Sequence, residues 1–113
     1  MKIDGNNISM IRGDSKDLYI RCYDGGSHIP FEKGDTVYFT VKESPSKKEK
    51  ILQKIVKDFQ DGVAHIEILP DDTKQMKFKR KYVYDVQVTF KNGRVNTIVP
   101  LSHFMVTEEV THE

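Results

Sequence analysis

Tyr82-Val83-Tyr84-Asp85-Val86-Gln87-Val88-Thr89-Phe90, followed by Lys91-Asn92-Gly93-Arg94, is the stretch that decides the predicted fold. Its apolar residues recur at every second position, the period with which β-strand side chains alternate between two faces. One face therefore needs a core, and the other tolerates water. Asn92-Gly93 suits the positive φ angles of a type I′ turn, so we predict a hairpin with residues 95–106. Pro100 marks a bulge or an edge position in that second strand.

The same two-residue period extends over most of the chain, with turn residues between the apolar runs. We predict seven strands, near residues 7–12, 16–23, 36–43, 50–58, 63–69, 80–90 and 94–107. Asp61-Gly62 predicts a hairpin between the fourth and fifth strands, and Asp71–Met76 predicts a short helical turn. Short strands without crossover helices favour an all-β fold, a seven-stranded antiparallel immunoglobulin-like β-sandwich in Greek-key order.

Length and composition restrict the class of protein. A chain of 113 residues predicts one domain over 1–113, with a core over about 7–107 and a polar, frayed C-terminal tail, Thr107–Glu113. The formal charge of +1 argues against a general polyanion binder. Cys22 is the sole cysteine, which excludes an intrachain disulfide. We expect neither a signal peptide nor a membrane span, because no apolar run has the necessary length.

Two tyrosines at the start of the sixth predicted strand have a predicted structural role. Tyr82 or Tyr84 occupies the place where such sandwiches have a tyrosine corner, whose hydroxyl binds upstream backbone. Both rings lie on the apolar face of the strand. We therefore assign structural roles to Tyr82, Tyr84, Asn92 and Gly93.

No residue is assigned to catalysis, to a cofactor or to a metal. Cys22 points inward on its predicted strand, and a thiol in apolar surroundings is inert. The histidines lie on separate segments without a nucleophile motif. His65 and Glu67 share a strand face, but a zinc site needs further ligands and none is near, so a solvated face accounts for the pair. The four histidines are His28, His65, His103 and His112.

Two basic runs, one around the fourth predicted strand and one before the sixth, are the candidate sites for anions. Lysines release counterions when they bind nucleic acid, but few aromatic rings for base stacking lie among these charges. Solubility and protection of an edge strand are the favoured interpretation, because exposed lysines keep the surface hydrated and discourage pairing between sheets. The candidate anionic contacts are Lys47, Lys48, Lys50, Lys79, Arg80 and Lys81.

Two further features carry competing interpretations. Arg12-Gly13-Asp14 spells an integrin-type tripeptide, which we interpret as a turn with a flexible Gly13 and an Asx hydrogen bond from Asp14. Tyr19, Tyr23 and Tyr38 are candidate outer-face aromatics. They keep a glycan site open, although the chain has no tryptophan.

Several segments share their order and spacing with one protein family. They are Ile11–Ser15, Ile29–Lys42, Asp61–Ile68 with Pro70–Thr73, Tyr82–Val88, and the Asn92-Gly93 hairpin with Phe104–Val106. Together they resemble the immunoglobulin-like domain at the N-terminus of phage baseplate upper proteins and related phage or prophage tail proteins of Gram-positive hosts. One departure is Lys79-Arg80-Lys81, since relatives usually place a glycine just before the Tyr-x-Tyr strand.

The resemblance implies a non-enzymatic structural or adaptor component of a phage or prophage tail, in a baseplate or fibre, that acts by protein–protein docking. Its partners would be other virion or tail proteins, including further copies of itself, with no cofactor, membrane or nucleic acid. It would be made in the bacterial cytoplasm and reside in the virion. Two alternatives stay open: a glycan- or cell-surface-binding module, and a nucleic-acid-binding regulator that uses the lysine clusters.

Overall fold

Strands make up most of the molecule. The computed structural model describes residues 2–4 and 6–110. A helical turn follows the eighth strand, as predicted, and no helix in this part of the chain is long and apolar enough to cross a membrane. The elements are β1 (Lys2–Asp4), β2 (Asn7–Ile11), β3 (Lys16–Ile20), β4 (Cys22–Asp24), β5 (Ser27–Ile29), β6 (Thr36–Lys42), β7 (Leu52–Val56), β8 (Ala64–Ile68), α1 (Pro70–Thr73), β9 (Tyr82–Thr89) and β10 (Val95–Thr107).

The strands form one large sheet and two small ones. The large sheet has the order β1-β2-β10-β9-β6-β7, while β3 pairs with β8 and β4 pairs with β5. The all-β prediction is confirmed, and each predicted strand has an observed counterpart. The wholly antiparallel prediction is wrong, since β2 and β10 run parallel with Ile8 beside Phe104. Parallel pairing needs a long connection, and nearly the whole described chain lies between these strands.

Three strands, β1, β4 and β5, are additional to the prediction. The predicted strand 16–23 ends at Ile20, and Cys22–Asp24 pairs instead with Ser27–Ile29. Gly25 and Gly26 have φ angles of 58° and 84°, which suit a type I′ turn. The Gly-Gly turn therefore closes a small hairpin of its own, where the sequence predicts only the end of a strand.

The inner face of the large sheet and the β3–β8 pair share one apolar core. Val37 and Phe39 of β6 are fully buried in it, as are Ile66 and Ile68 of β8. Every second residue of β9 from Tyr82 to Val88 is buried as well. Each such side chain contributes about 1.5–3 kcal/mol when it leaves water. A shift of one residue would reverse the two faces of the strand. The prediction of which β9 side chains face the core is therefore correct.

Tyr82 and Tyr84 tie β9 to two other segments. The Tyr82 hydroxyl accepts a hydrogen bond from the N–H of Lys77 at 2.8 Å, which is the geometry of a tyrosine corner. The Tyr84 hydroxyl donates to the carbonyl oxygen of Asn6. Burial raises the pKa of Tyr84 to about 12, so this hydroxyl keeps its proton throughout the neutral range.

The hairpin between β9 and β10 is present, but its predicted turn type is wrong. Gly93 has a φ of 89°, whereas Asn92 is not among the described residues with positive φ. The Gly93 N–H donates to the Phe90 carbonyl oxygen at 2.8 Å, and Asn92 Oδ1 accepts from the N–H of Arg94 at 3.0 Å. A three-residue loop that ends on a left-handed glycine has this geometry. The Asn92 side chain favours this loop, because it can accept the hydrogen bond from Arg94 while Asn92 keeps a negative φ angle.

A type I′ turn occurs at Asp61-Gly62, where the φ angles are 55° and 71°. Gln60 and Val63 form a single bridge across it. The predicted hairpin between the flanking strands is nevertheless wrong, since β7 pairs with β6 and β8 pairs with β3. The chain crosses at this turn from one sheet to the other.

Arg12-Gly13-Asp14 forms a turn, as predicted. The Asp14 N–H donates to the Ile11 carbonyl oxygen at 3.2 Å, and Gly13 has a φ of 88°, as in a type II turn. The Gly13 N–H donates to Thr73 Oγ1 at 2.8 Å. A main-chain hydrogen bond and a bond to the Thr73 hydroxyl, rather than the predicted Asx bond of Asp14, hold the turn.

The predicted fraying of Thr107–Glu113 is wrong for its first part. Thr107 ends β10, and Glu109 is buried, with 9% of its surface exposed. Glu109 Oε1 accepts from Nη2 of Arg12 at 2.9 Å, and Oε2 lies 3.5 Å from Nζ of Lys74. Ion pairs with distant segments therefore fix this part of the chain. Residues 111–113 lie outside the described residues.

Candidate functional site

The outward side chains of β6, β7, β9 and β10 form a surface that we term the outer face. Residues paired across neighbouring strands share a face, and Tyr38 pairs with Ile55 of β7 and with Gln87 of β9. Thr40 and Asp85 pair in the next outward row. The residues between them on β6 point into the core. The outward side chains of the four strands therefore form one continuous surface on the side of the sheet away from the core.

The outer face contains two open depressions. A cavity of about 290 Å³ is lined by Thr40, Asp85 and Leu101, among others, and also by Lys42 and Lys50. A second depression of about 280 Å³ shares Thr40 and Asp85 with the first. Together the two depressions make the outer groove. Leu101 follows Pro100 at one of two register shifts in β10, which confirms the predicted bulge.

Apolar side chains are exposed along this groove. Val95 and Leu101, which line it, are 62% and 55% exposed, and Ile55 beside Tyr38 is 52% exposed. Polar groups of Thr40 and Asp85 lie between them. Exposed apolar side chains gathered beside polar groups are a feature of surfaces that bind other molecules.

The two basic runs lie together at one end of the large sheet. Lys42 pairs with Val83, so the segment that leaves β6 and the segment that enters β9 run side by side there. Arg80 Nη2 lies 3.7 Å from Glu43 Oε2 and joins the two segments. We term residues 42–50 and 77–81 the basic end. All six candidate contacts are exposed there, namely Lys47, Lys48, Lys50, Lys79, Arg80 and Lys81.

Protection of an edge strand does not account for these residues. The edge strand β7 begins at Leu52, after the first basic run, and the second run precedes β9, which lies inside the sheet. Lys54 does lie on β7, and its Nζ is 2.8 Å from Asp72 Oδ2. For the exposed basic residues of the two loops, the interpretations that remain are solubility and anion binding.

The small β3–β8 sheet has its own outward cluster. His65 Nε2 lies 2.7 Å from Asp17 Oδ1, and the His65 ring stacks on Tyr19 with 5.0 Å between centroids. Tyr19 and Tyr23 are exposed, whereas Tyr38 is half-buried in the outer groove. Within residues 2–4 and 6–110, no three His, Cys, Asp or Glu side chains gather as a metal-binding group.

The other candidate reactive residues lie apart from these surfaces. Cys22 is buried, and burial raises the pKa of its thiol, with a further contribution from the charge of Asp24. His28 packs against Tyr23 on the β4–β5 hairpin, with 5.7 Å between ring centroids. His103 lies on β10, and His112 lies outside the described residues. The structure does not bring these groups together.

Sequence reasoning missed the outer groove. Thr40, Asp85 and Gln87 alternate with core residues, and such positions look like ordinary solvated positions of a strand. The only sequence signal for this groove was the two-residue alternation of polar and apolar side chains that β6 and β9 share. That signal does not say which strands are neighbours, because pairing depends on the whole fold.

A scan against protein-family models gives no matching family, and a search of curated proteins gives no match.

Proposed function

We propose that this chain is a non-enzymatic docking module that binds other proteins through its outer groove. On the resemblance in motifs, it is a structural or adaptor component of a phage or prophage tail. It is made in the bacterial cytoplasm and joins other tail proteins, or further copies of itself, in the virion. The observation that carries the docking role is the outer groove, two adjoining depressions where exposed Val95 and Leu101 flank polar Thr40 and Asp85. Exposed apolar side chains beside hydrogen-bonding polar groups are typical of protein interfaces.

The strand order supports an immunoglobulin-like, Greek-key interpretation of the fold. In such sandwiches, strands C, F and G are neighbours in one sheet, and strands B and E lie in the other. Here β10, β9 and β6 are neighbours in the large sheet, and β3 and β8 pair separately. The hydrogen bond between Tyr82 and Lys77 adds a tyrosine corner. A rigid sheet face of this kind presents a partner with fixed geometry.

A glycan- or cell-surface-binding role is the second candidate. Tyr19 is 58% exposed and stacks on His65, whose imidazole contacts the Asp17 carboxylate. A ring beside polar groups suits the apolar face and the hydroxyls of a sugar. Titration with cell-wall polysaccharide of the host tests this role. Binding that is lost in Tyr19→Ala and kept in Leu101→Asp would favour it over the groove.

Co-expression with the products of the flanking genes tests the docking proposal. We expect one product to co-purify as a complex of defined mass. Leu101→Asp places a charge in the outer groove and should weaken that complex about tenfold or more, roughly 1.4 kcal/mol. Leu69→Asp changes an exposed leucine outside the groove and should bind like the parent chain. Equal binding by both variants, or flanking genes that are all metabolic, would contradict the proposal.

A further inference from the structure

Charge is unevenly distributed over the molecule. The basic end holds eight of the 18 Lys and Arg residues but two of the 17 Asp and Glu residues. It therefore carries a formal charge of +6, and the rest of the chain carries −5. Repulsion among like charges destabilises a compact state. The ion pair between Arg80 and Glu43 offsets part of that repulsion.

Lys79, within the basic end, has a backbone conformation that favours glycine. Its φ is 58°, in the left-handed region where a side chain with a Cβ is strained. Asp61, the other non-glycine residue with positive φ in the described chain, lies in a tight Asp-Gly turn where aspartate is common. The Lys79 side chain is exposed, so packing does not explain its presence. Strained residues cluster at functional sites, and the group that Lys79 presents to solvent is its charge.

We propose that the basic end binds an acidic segment of a partner protein, and that Lys79 is a principal contact. This inference rests on the proposed docking function and specifies the chemistry of the partner. The outer groove reaches the basic end at Lys42 and Lys50, which line it together with Val83 and Leu101. A ligand that covers both surfaces needs carboxylates for the lysines and apolar side chains for the groove. A protein segment supplies both groups.

Nucleic acid is the less complementary ligand. Single strands bind by stacking bases on exposed rings. The Phe78 ring is covered by the Arg12 guanidinium, whose carbon lies 4.0 Å from the ring centroid, and Tyr82 is buried. A phosphate backbone also has no apolar group that could pack against the apolar residues of the groove.

The test measures binding of two probes, a random copolymer of glutamate and tyrosine and a single-stranded DNA oligonucleotide, at one physiological salt concentration. Lys79→Gln removes the charge and keeps the strained conformation, whereas Lys79→Asn removes the charge and suits that conformation. Lys79→Arg keeps both the charge and the strain. Lys33→Gln is the matched control, because exposed Lys33 precedes β6 at the end opposite the basic end.

We expect both neutral variants at position 79 to bind the copolymer about two- to fivefold more weakly, the usual effect of one exposed ion pair. Lys79→Arg and Lys33→Gln should bind like the parent chain. Lys79→Asn should melt at a higher temperature than Lys79→Gln, which excludes unfolding as the reason for its weaker binding. Parent-like binding by Lys79→Gln would overturn the inference, as would tighter binding of DNA than of copolymer.

The two proposals fail separately. If Leu101→Asp loses a flanking-gene partner while Lys79→Gln binds the copolymer fully, the docking function stands and the basic-end inference is wrong. If no flanking product binds while the copolymer results hold, the docking proposal is wrong and the basic end remains an acidic-protein site.

Discussion

The two buried tyrosines of β9 each combine a packed ring with a hydrogen-bonded hydroxyl, and substitutions separate these contributions. Tyr82→Ala and Tyr84→Ala should each lower the free energy of unfolding by about 3–5 kcal/mol. Tyr82→Phe and Tyr84→Phe lose one hydrogen bond and should lower it by about 0.5–1.5 kcal/mol. Urea unfolding of the four variants measures both effects. Alanine variants as stable as the parent chain would place both rings in solvent.

Glu109 should make stability depend on acid pH. The hydrogen bond from Arg12, helped by the charges of Arg12 and Lys74, lowers the pKa of Glu109 from its ordinary 4.5. Because the pKa is lower in the folded state, the ionised carboxylate stabilises the fold fully above about pH 4.5. That stabilisation is lost as the pH falls from 4.5 through the lowered folded-state pKa.

Thermal unfolding between about pH 3 and pH 6 measures this dependence. Glu109→Gln should show a weaker loss of stability with falling pH, whereas Glu108→Gln, at an exposed neighbouring position, should behave like the parent chain. If the Glu109→Gln profile equals the parent profile, other carboxylates cause the acid transition.

Some residues have roles that depend on distant partners, and the sequence does not show them. Asp35 is buried, and its carboxylate accepts from the N–H of Glu32 at 2.8 Å and from the N–H of Lys91 at 2.9 Å. The local pattern around it is that of an ordinary turn. Glu109 likewise looks like part of a polar tail until Arg12 is placed beside it.

Among the turns, Gly62 and Gly93 both have a positive φ angle, but their surroundings differ. A Cβ at Gly62 would lie 2.3 Å from the Cβ of Pro30, whereas a Cβ at Gly93 would meet nothing within 4 Å. Gly93→Ala should therefore cost about 1–2 kcal/mol for the backbone alone. Gly62→Ala should cost more, because the loop at Pro30 must also move. Urea unfolding measures the free energy of unfolding of the two variants. Equal losses of that free energy would mean that the loop at Pro30 moves at no cost.

The elements themselves were largely predictable, because strand formation follows from local alternation and turn residues. β6, β8 and β9 show that alternation and lie where it predicts them. Pairing was less predictable. Asp61-Gly62 has the local chemistry of a hairpin, yet β7 and β8 belong to different sheets.

For the whole molecule, we expect a fold that needs neither a metal nor a disulfide. The core consists of packed apolar side chains from two sheets, and the sole cysteine is free and buried. The melting temperature, followed by circular dichroism, should therefore be unchanged by EDTA or by a reductant. A melting temperature lowered by EDTA would reveal a metal that contributes to folding.

The pairing of β2 with β10 has a consequence for synthesis on the ribosome. Ile8 lies beside Phe104 in the folded sheet. During synthesis, β2 therefore lacks its partner strand β10 until nearly the whole described chain has been translated. Closing so long a loop has a large entropic cost, and folds with many distant contacts form slowly. Ile8 and Met10, both buried in the finished protein, meanwhile remain open to water. The nascent chain is therefore most prone to aggregate, and most in need of chaperones, just before β10 emerges.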